Sequence, residues 1–185
     1  MKKIILKTKR LVLRPVRKGD DKILFENVND PLVTEFLPFE FSTFKKARDF
    51  VRRTIKEHGV KRFDFLSFLQ NTGEFVGRAS LHHFSKKDKR AEIGLFVARK
   101  NWKKGFGREL LEAILNFGFG KLELNRIGYH VSSKNKASLA LVHSMHGKHE
   151  GTIREYYFRK GKFIDQNVFS ILASEWKKRK RKGNA

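Results

Sequence analysis

Two glycines in a basic turn, Lys103-Lys104-Gly105-Phe106-Gly107-Arg108, run straight into apolar residues at helical spacing, Leu110, Leu111, Ile114 and Leu115. That order of residue types suits an anion. Glycine lets the backbone bend and approach a ligand closely. The first N–H groups of a helix have no partner inside it, and the helix dipole favours negative charge beside them. Lys103, Lys104 and Arg108 add mobile positive charge at the same spot, and a diphosphate fits such a cradle. A plain strand-to-helix turn eased by glycine has the same appearance, so the neighbouring elements must decide between the two.

Residues 8–15 alternate polar and apolar side chains as a half-buried strand does, and Pro15 ends it. Asp20 is placed to cap a short helix over 20–28, broken by Asn29-Asp30-Pro31. A second helix over 44–58 starts at Ser42 or Thr43, turns Phe44, Ala47, Val51 and Ile55 to one face, and is closed by Gly59. Apolar runs 63–69 and 74–82 around Asn71-Thr72-Gly73 read as a hairpin. Strand 91–97 feeds the glycine turn, and its helix extends over 105–119 with Gly118 and Gly120 loosening the end. Strand 126–131, helix 135–145 and a hairpin of 151–158 with 163–172 complete the order. This succession predicts a single α/β (α+β) domain over residues 1–176, with a mixed, mostly antiparallel sheet of about seven strands flanked by about four helices.

Composition narrows the chemistry. The 185 residues contain no cysteine, which excludes disulfides, thiolate metal sites and a cysteine nucleophile. The seven histidines show no ligand spacing, so no metal site is expected. No apolar run approaches membrane-spanning length and the start is too short in its apolar part for a signal peptide, which predicts a cytoplasmic protein without membrane contact. Lys and Arg number 42 against 19 acids, a formal net charge of +23 that attracts polyanions. Six of these charges, Lys177-Lys178-Arg179-Lys180-Arg181-Lys182, follow Trp176. Residues 177–185 are therefore expected as a disordered basic tail, either merely solvated or in contact with RNA or the ribosome.

Taken together, the order of elements and the motifs resemble the GNAT acetyltransferase superfamily, and within it the branch that acetylates the N-terminal amines of ribosomal proteins. The resemblance is carried by Thr8-x-Arg10-Leu11-x-Leu13-Arg14, Gly77, Ala91-Glu92-Ile93-Gly94 and Trp102-Lys103-Lys104-Gly105-Phe106-Gly107-x-Glu109. It continues through Asn125-Arg126-Ile127, Asn135-x-x-Ser138, Glu150-Gly151 and Asp165. It implies acetyl-coenzyme A as co-substrate, with the diphosphate at Lys103, Lys104, Gly105, Phe106, Gly107 and Arg108. The pantetheine arm would lie along Leu95, Phe96 and Val97, with the Asn135 side chain on its other flank. It further implies direct attack of a neutral amine on the thioester, with Glu92 as the base, through water if necessary, and Ser138 as the acid toward the leaving thiolate.

Glu92 also lies near Arg90, as a strand-end ion pair would, and Ser138 sits at a helix start where serine often satisfies only backbone. His82, His83 and His130 either line the substrate groove or are structural. Tyr156, Tyr157 and Phe158 either form an aromatic wall there or pack as ordinary strand residues. Departures from the family pattern are Trp102 in place of Arg or Gln, Val142 in place of a tyrosine acid, and Met145-His146-Gly147 in place of Leu-Gly-Phe, which predicts a local shift of the chain path. The branch and the scarcity of acids favour a protein or peptide N-terminus as acceptor over a polyamine. A small-molecule amine or antibiotic is the alternative within the enzyme reading, and an RNA- or ribosome-binding protein on an acetyltransferase scaffold is the alternative outside it.

Overall fold

A computed structural model describes residues 4–37, 40–159 and 161–183; parts of the loops 34–41 and 159–163 and the last two positions of the chain lie outside them. Among these residues, eight strands form one sheet: β1 (Leu6–Lys7), β2 (Leu11–Pro15), β3 (Phe63–Leu69), β4 (Phe75–Ser85), β5 (Arg90–Val97), β6 (Arg126–Ser132), β7 (Lys148–Arg159) and β8 (Lys162–Leu172), in the spatial order 1-2-3-4-5-6-8-7. Among the described residues, β5 with β6 is the one parallel pair. The helices are α1 (Asp21–Val28), the single turn α2 (Pro31–Thr34), α3 (Phe44–Glu57), α4 (Phe106–Asn116), α5 (Lys136–Ser144) and α6 (Ala173–Gly183). Among the described residues, no helix is long and apolar enough to cross a membrane.

Both faces of the sheet are covered, which is why β3 reads as a nearly continuous apolar run. Phe63 and Phe65 pack with Leu110, Leu111, Ile114 and Leu115 of α4, whereas Leu66 joins Phe50 and Val51 of α3 on the other face. Each of these α4 side chains is at most 1% exposed and contributes roughly 1.5–3 kcal/mol by burial. After α4 the chain takes one wide turn, Phe117–Lys121, rather than ideal helix. Gly118 suits this turn, because a Cβ would come within 2.6 Å of Ile127 Cδ1 and 3.2 Å of Leu81 Cδ1 and these buried side chains would have to shift.

Several expectations are corrected by packing. The first long strand begins at Leu11 and not at Thr8, because Thr8 closes a turn on Leu11 through its N–H and its hydroxyl. Residues 6 and 7 then add β1 at the sheet edge. Asp20 does not cap α1; its carboxylate takes the Arg14 guanidinium at 2.7 Å and the Arg17 N–H. On α3 the buried stripe is Ala47, Phe50, Val51 and Thr54. Phe44 and Ile55, about 70–90° from its centre, are 38% and 39% exposed.

The basic end is helical through Gly183, not a disordered tail. Lys and Arg are good helix formers, and two residues one turn apart tie α6 down. Trp176 is buried and donates to Asn116 Oδ1 at 3.2 Å, while Arg179 lies over the Trp176 ring and reaches Glu112. Lys177, Lys178, Lys180 and Arg181 remain exposed.

His146, at φ 56°, takes the left-handed position at the end of α5, and Gly147 N–H closes on Val142 C=O at 3.0 Å. A non-glycine residue in that conformation carries strain. His146→Gly is therefore expected to raise stability by up to about 1 kcal/mol in urea denaturation.

Glu150 of β7 takes a two-pronged ion pair from Arg126 at the start of β6 and a hydrogen bond from Ser170 Oγ at 2.7 Å. Arg126 foremost lowers its carboxyl from 4.5 to about 2, against the opposing effect of burial and with help from Ser170. A depressed carboxyl pKa stabilises the fold above the unfolded value, and this stabilisation is lost as pH falls from about 4.5 toward 2. Glu150→Gln is expected to lack this contribution, about 1 kcal/mol for so exposed a pair, so the stability gap between wild type and variant should close in acid.

Candidate active site

The parallel pairing of β5 and β6 stops early. It runs from Arg90↔Arg126 to Ile93↔Tyr129, after which β5 continues to Val97 and β6 to Ser132 without each other. β5 stays paired with β4 up to Gly77↔Val97. Ala98 N–H bonds Val76 C=O, and the alternation of an antiparallel ladder then turns the backbone groups of Leu95 and Val97 away from β4, into the fork. Phe96 differs from its neighbours: its backbone faces β4 and its side chain is buried in the α3 core. Val97 C=O is already bonded by the Trp102 indole N–H at 2.7 Å.

The fork opens into a cleft of about 2030 Å³. Gly105, Phe106, Gly107 and Arg108 line it at the start of α4, with Leu95, Phe96 and Val97 along one wall and Asn135 and Ser138 along the other. Gly105 has φ 78° and Lys103 φ 59°, a tight left-handed turn that delivers the chain into α4. No side chain caps that helix, so its first N–H groups face the cleft uncommitted by any cap. Lys103 lines the cleft as well, whereas Lys104 is turned onto Asn101 Oδ1 at 3.2 Å, and Arg108 pairs with Glu112 at 3.5 Å.

A residue noticed in the sequence only as part of the opening motif holds this turn. Arg10 lies over the Phe106 ring at 4.3 Å, donates to Lys104 C=O at 3.0 Å and pairs with Glu109 at 2.7 Å. Burial alone would raise the Glu109 carboxyl, but bonds from the Thr8 hydroxyl and from Arg10 outweigh it and hold it below the ordinary carboxylate range.

On the opposite side of the sheet, Glu92 does not pair with Arg90, which turns to Asp88. Three imidazoles gather on it instead. His83 Nδ1 lies 3.0 Å from Glu92 Oε2, His82 Nε2 3.7 Å and His130 Nε2 3.9 Å. His82 is the cross-strand partner of Glu92; His130 stands two residues beyond Gly128, its partner on β6. Neighbouring residues on a strand normally face opposite ways, yet His83 joins His82. A bulge after His82 adds one residue to β4, and His83 adopts φ 48°. Gly94 lies beside the His82 ring, and a Cβ there would stand 3.4 Å from His82 Cε1 and 2.9 Å from Ser80 Oγ. His82, His83 and His130 line the cleft, with Glu92 behind them. Burial, reinforced by His83, lowers the His82 imidazole from 6.5 to about 4 and keeps it neutral at pH 7.

Asn135 and Ser138 come together at the start of α5. Asn135 Oδ1 accepts the Ser138 N–H at 3.0 Å, which leaves the amide NH₂ as the donor of that side chain. Val142 is buried in the core. Tyr156, Tyr157 and Phe158 line the groove; Tyr156 and Phe158 are 53% and 63% exposed and Tyr157 is half-buried, so they are not packed as interior strand residues. The three histidines line the groove, one of the two roles their sequence positions allow, but their convergence on Glu92 and the role of Arg10 are not legible in the sequence. Both depend on strand register and on a backbone reversal, neither of which leaves a pattern in residue spacing.

The family described as the acetyltransferase (GNAT) domain matches residues 10–148. The chain is 33% identical to the uncharacterized N-acetyltransferase p20 of Bacillus licheniformis, over 92% of this chain and 97% of that protein. The solved spermidine N-acetyltransferase from Vibrio cholerae in complex with CoA and spermine superposes with a TM-score of 0.84 at 22% identity, covering 91% of this chain and 99% of that one. RimL, a ribosomal L7/L12 α-N-protein acetyltransferase in complex with coenzyme A, gives 0.85 at 20% identity, over 93% and 99% of the two chains. At those identities the two structures bear on the fold, whereas the family match and the B. licheniformis relative bear on the chemistry as well. By descent as well as by shape, the chain belongs to the GNAT acetyltransferases, enzymes that transfer an acetyl group from acetyl-coenzyme A to an amine.

Proposed function

We propose that the acceptor is the N-terminal amine of a protein or peptide, acetylated by direct attack within a ternary complex. The observation that carries this reading is the scarcity of free carboxylates in the cleft: three Glu line it among the described residues, and two of them, Glu40 and Glu57, already pair with Arg159 and Arg62. A polyamine brings several positive charges and needs carboxylates around it, whereas a peptide brings one ammonium and a chain of amides. The exposed aromatic side chains of Tyr156 and Phe158 at the cleft suit the apolar parts of such a chain.

In this mechanism the uncapped N–H groups of Phe106, Gly107 and Arg108 hold the diphosphate, with Lys103 nearby. Leu95 N–H and C=O and Val97 N–H pair with the pantetheine amides, and the Asn135 NH₂ bonds the arm from the α5 side. Glu92 acts as the base through the imidazoles in front of it. With His83 Nδ1 held on the carboxylate, the other ring nitrogen takes the ammonium proton, and the neutral amine attacks the thioester carbonyl. Ser138 donates to the departing thiolate.

The test is kcat/KM for short peptides with free N-termini against the same peptides with blocked N-termini and against spermidine. A preference for free peptide over spermidine of at least about tenfold, or about 1.4 kcal/mol, is expected. Preference for spermidine would contradict the assignment.

The exposed basic side of α6 favours a second activity alongside the first, contact with RNA or the ribosome. Replacing Lys177, Lys178, Lys180 and Arg181 by Gln is expected to lower the salt slope of RNA binding by about 3, roughly 0.7 per lost phosphate contact, with kcat on a short peptide unchanged. An unaltered slope would return RNA contact to another face or exclude it.

A further inference from the structure

We propose that His82, His83 and Glu92 form a binding site for a divalent ion of the zinc class at the wall of the acceptor groove, and that the bound ion blocks acetyl transfer. The two imidazole nitrogens and the carboxylate oxygen lie within 4.8 Å of one another. In a tetrahedral site with bonds of about 2.0–2.1 Å, ligand atoms stand about 3.3 Å apart. The separations from Glu92 Oε2, 3.0 Å to His83 and 3.7 Å to His82, bracket that value. The wider gap between the two imidazoles closes by rotation of His83, whose side chain is 68% exposed. His130, 3.9 Å from the same carboxylate oxygen, is within reach as a fourth ligand or as an acceptor for a metal-bound water.

The backbone argues against an accidental cluster. Without the bulge, His83 would project from the other face of β4, and its left-handed conformation costs about 1 kcal/mol for a residue that is not glycine. That distortion does one visible thing: it sets two adjacent imidazoles on a single carboxylate. Their rings are 4.8 Å apart and inclined at 68°.

Imidazole with carboxylate selects Zn²⁺, Co²⁺ or Ni²⁺ over Mg²⁺ or Ca²⁺, which prefer all-oxygen sets. The surrounding cations do not oppose such an ion as strongly as the net charge suggests. Arg78 pairs with Asp64, Arg62 with Asp64 and Glu57, and Arg126 with Glu150. The histidines face the cleft, which gives an ion an entry path and an open coordination position.

The inhibitory half of the proposal rests on the acetyl-transfer mechanism above. A bound ion on His83 Nδ1 leaves the ring proton on the other nitrogen, which then has no lone pair to take the amine's proton, and places positive charge where an ammonium must approach. No bond other than metal–ligand coordination is made or broken, and the displaced protons go to solvent.

The experiment uses tag-free, chelator-treated protein, titrated calorimetrically with Zn²⁺ and spectroscopically with Co²⁺. One ion per chain is expected, with the intense visible absorption of four-coordinate Co²⁺. His83→Asn and Glu92→Gln should each weaken binding at least about tenfold, while His146→Asn, outside the cluster, should bind as wild type does. Circular dichroism establishes that the variants are folded. No binding by wild type, or equal binding by wild type and both cluster variants, would overturn the site. Zn²⁺ should also suppress acetyl transfer and a chelator restore it; ion binding with unchanged turnover would overturn the inhibitory role. The titrations require no acetyl transfer, so a wrong acceptor assignment cannot mimic failure of the metal site.

Discussion

Gly107→Val is expected to weaken acetyl-coenzyme A binding at least about a hundredfold, measured by calorimetric titration. Gly107 lies in the first turn of α4 and borders the cleft. A single Cβ there would find ordinary contacts, Leu141 Cδ2 at 3.6 Å and Val97 Cγ2 at 3.9 Å, so the fold accepts the position being filled. The further methyls of valine project into the space where phosphate oxygens meet the N–H groups of Phe106, Gly107 and Arg108. Two charge-assisted hydrogen bonds lost at about 1.5 kcal/mol or more each give the hundredfold. Gly105 is a less clean target, because its φ of 78° strains any side chain and mixes a folding effect into the binding one. Unchanged affinity in a folded Gly107→Val protein would remove the diphosphate from this turn.

Glu92→Gln is expected to lower kcat by about 10²–10⁴ with little change in acetyl-coenzyme A affinity. The substitution keeps the shape of the side chain and one oxygen, but the amide neither accepts a proton nor stabilises a charged imidazole. Its partner His83, at 3.0 Å, gives an independent reading of the same claim. His83→Asn should lower kcat in wild-type background and add little in the Glu92→Gln background, because residues that act as a unit are not additive. Full additivity of the two losses would show that they do not share one proton path.

The anion cradle was legible because it depends on local rules alone: glycines at fixed spacing, then an amphipathic helix. The α4 stripe of Leu110, Leu111, Ile114 and Leu115 is buried as its period requires. The β3–β4 hairpin around Gly73, at φ 71°, likewise follows its turn residues. Features that depend on register between distant strands were not legible. The fork between β5 and β6 exists because pairing ends at Ile93↔Tyr129, and nothing in either strand's composition marks that point. The charge run after Trp176 suggested disorder, but the anchors that make it helical, Asn116 and Glu112, belong to α4, about 60 residues earlier in the chain. Histidine spacing in sequence gave no hint of a cluster, since a bulge and two cross-strand partners bring His82, His83 and His130 onto Glu92.

The most direct measurement is a crystal structure of the protein with bound acetyl-coenzyme A. The account predicts diphosphate oxygens within hydrogen-bonding distance of the N–H groups of Phe106, Gly107 and Arg108, with the pantetheine arm paired to the backbone of Leu95 and Val97 in the fork. A cofactor whose diphosphate lies away from the start of α4, or whose arm runs outside the fork between β5 and β6, would contradict it.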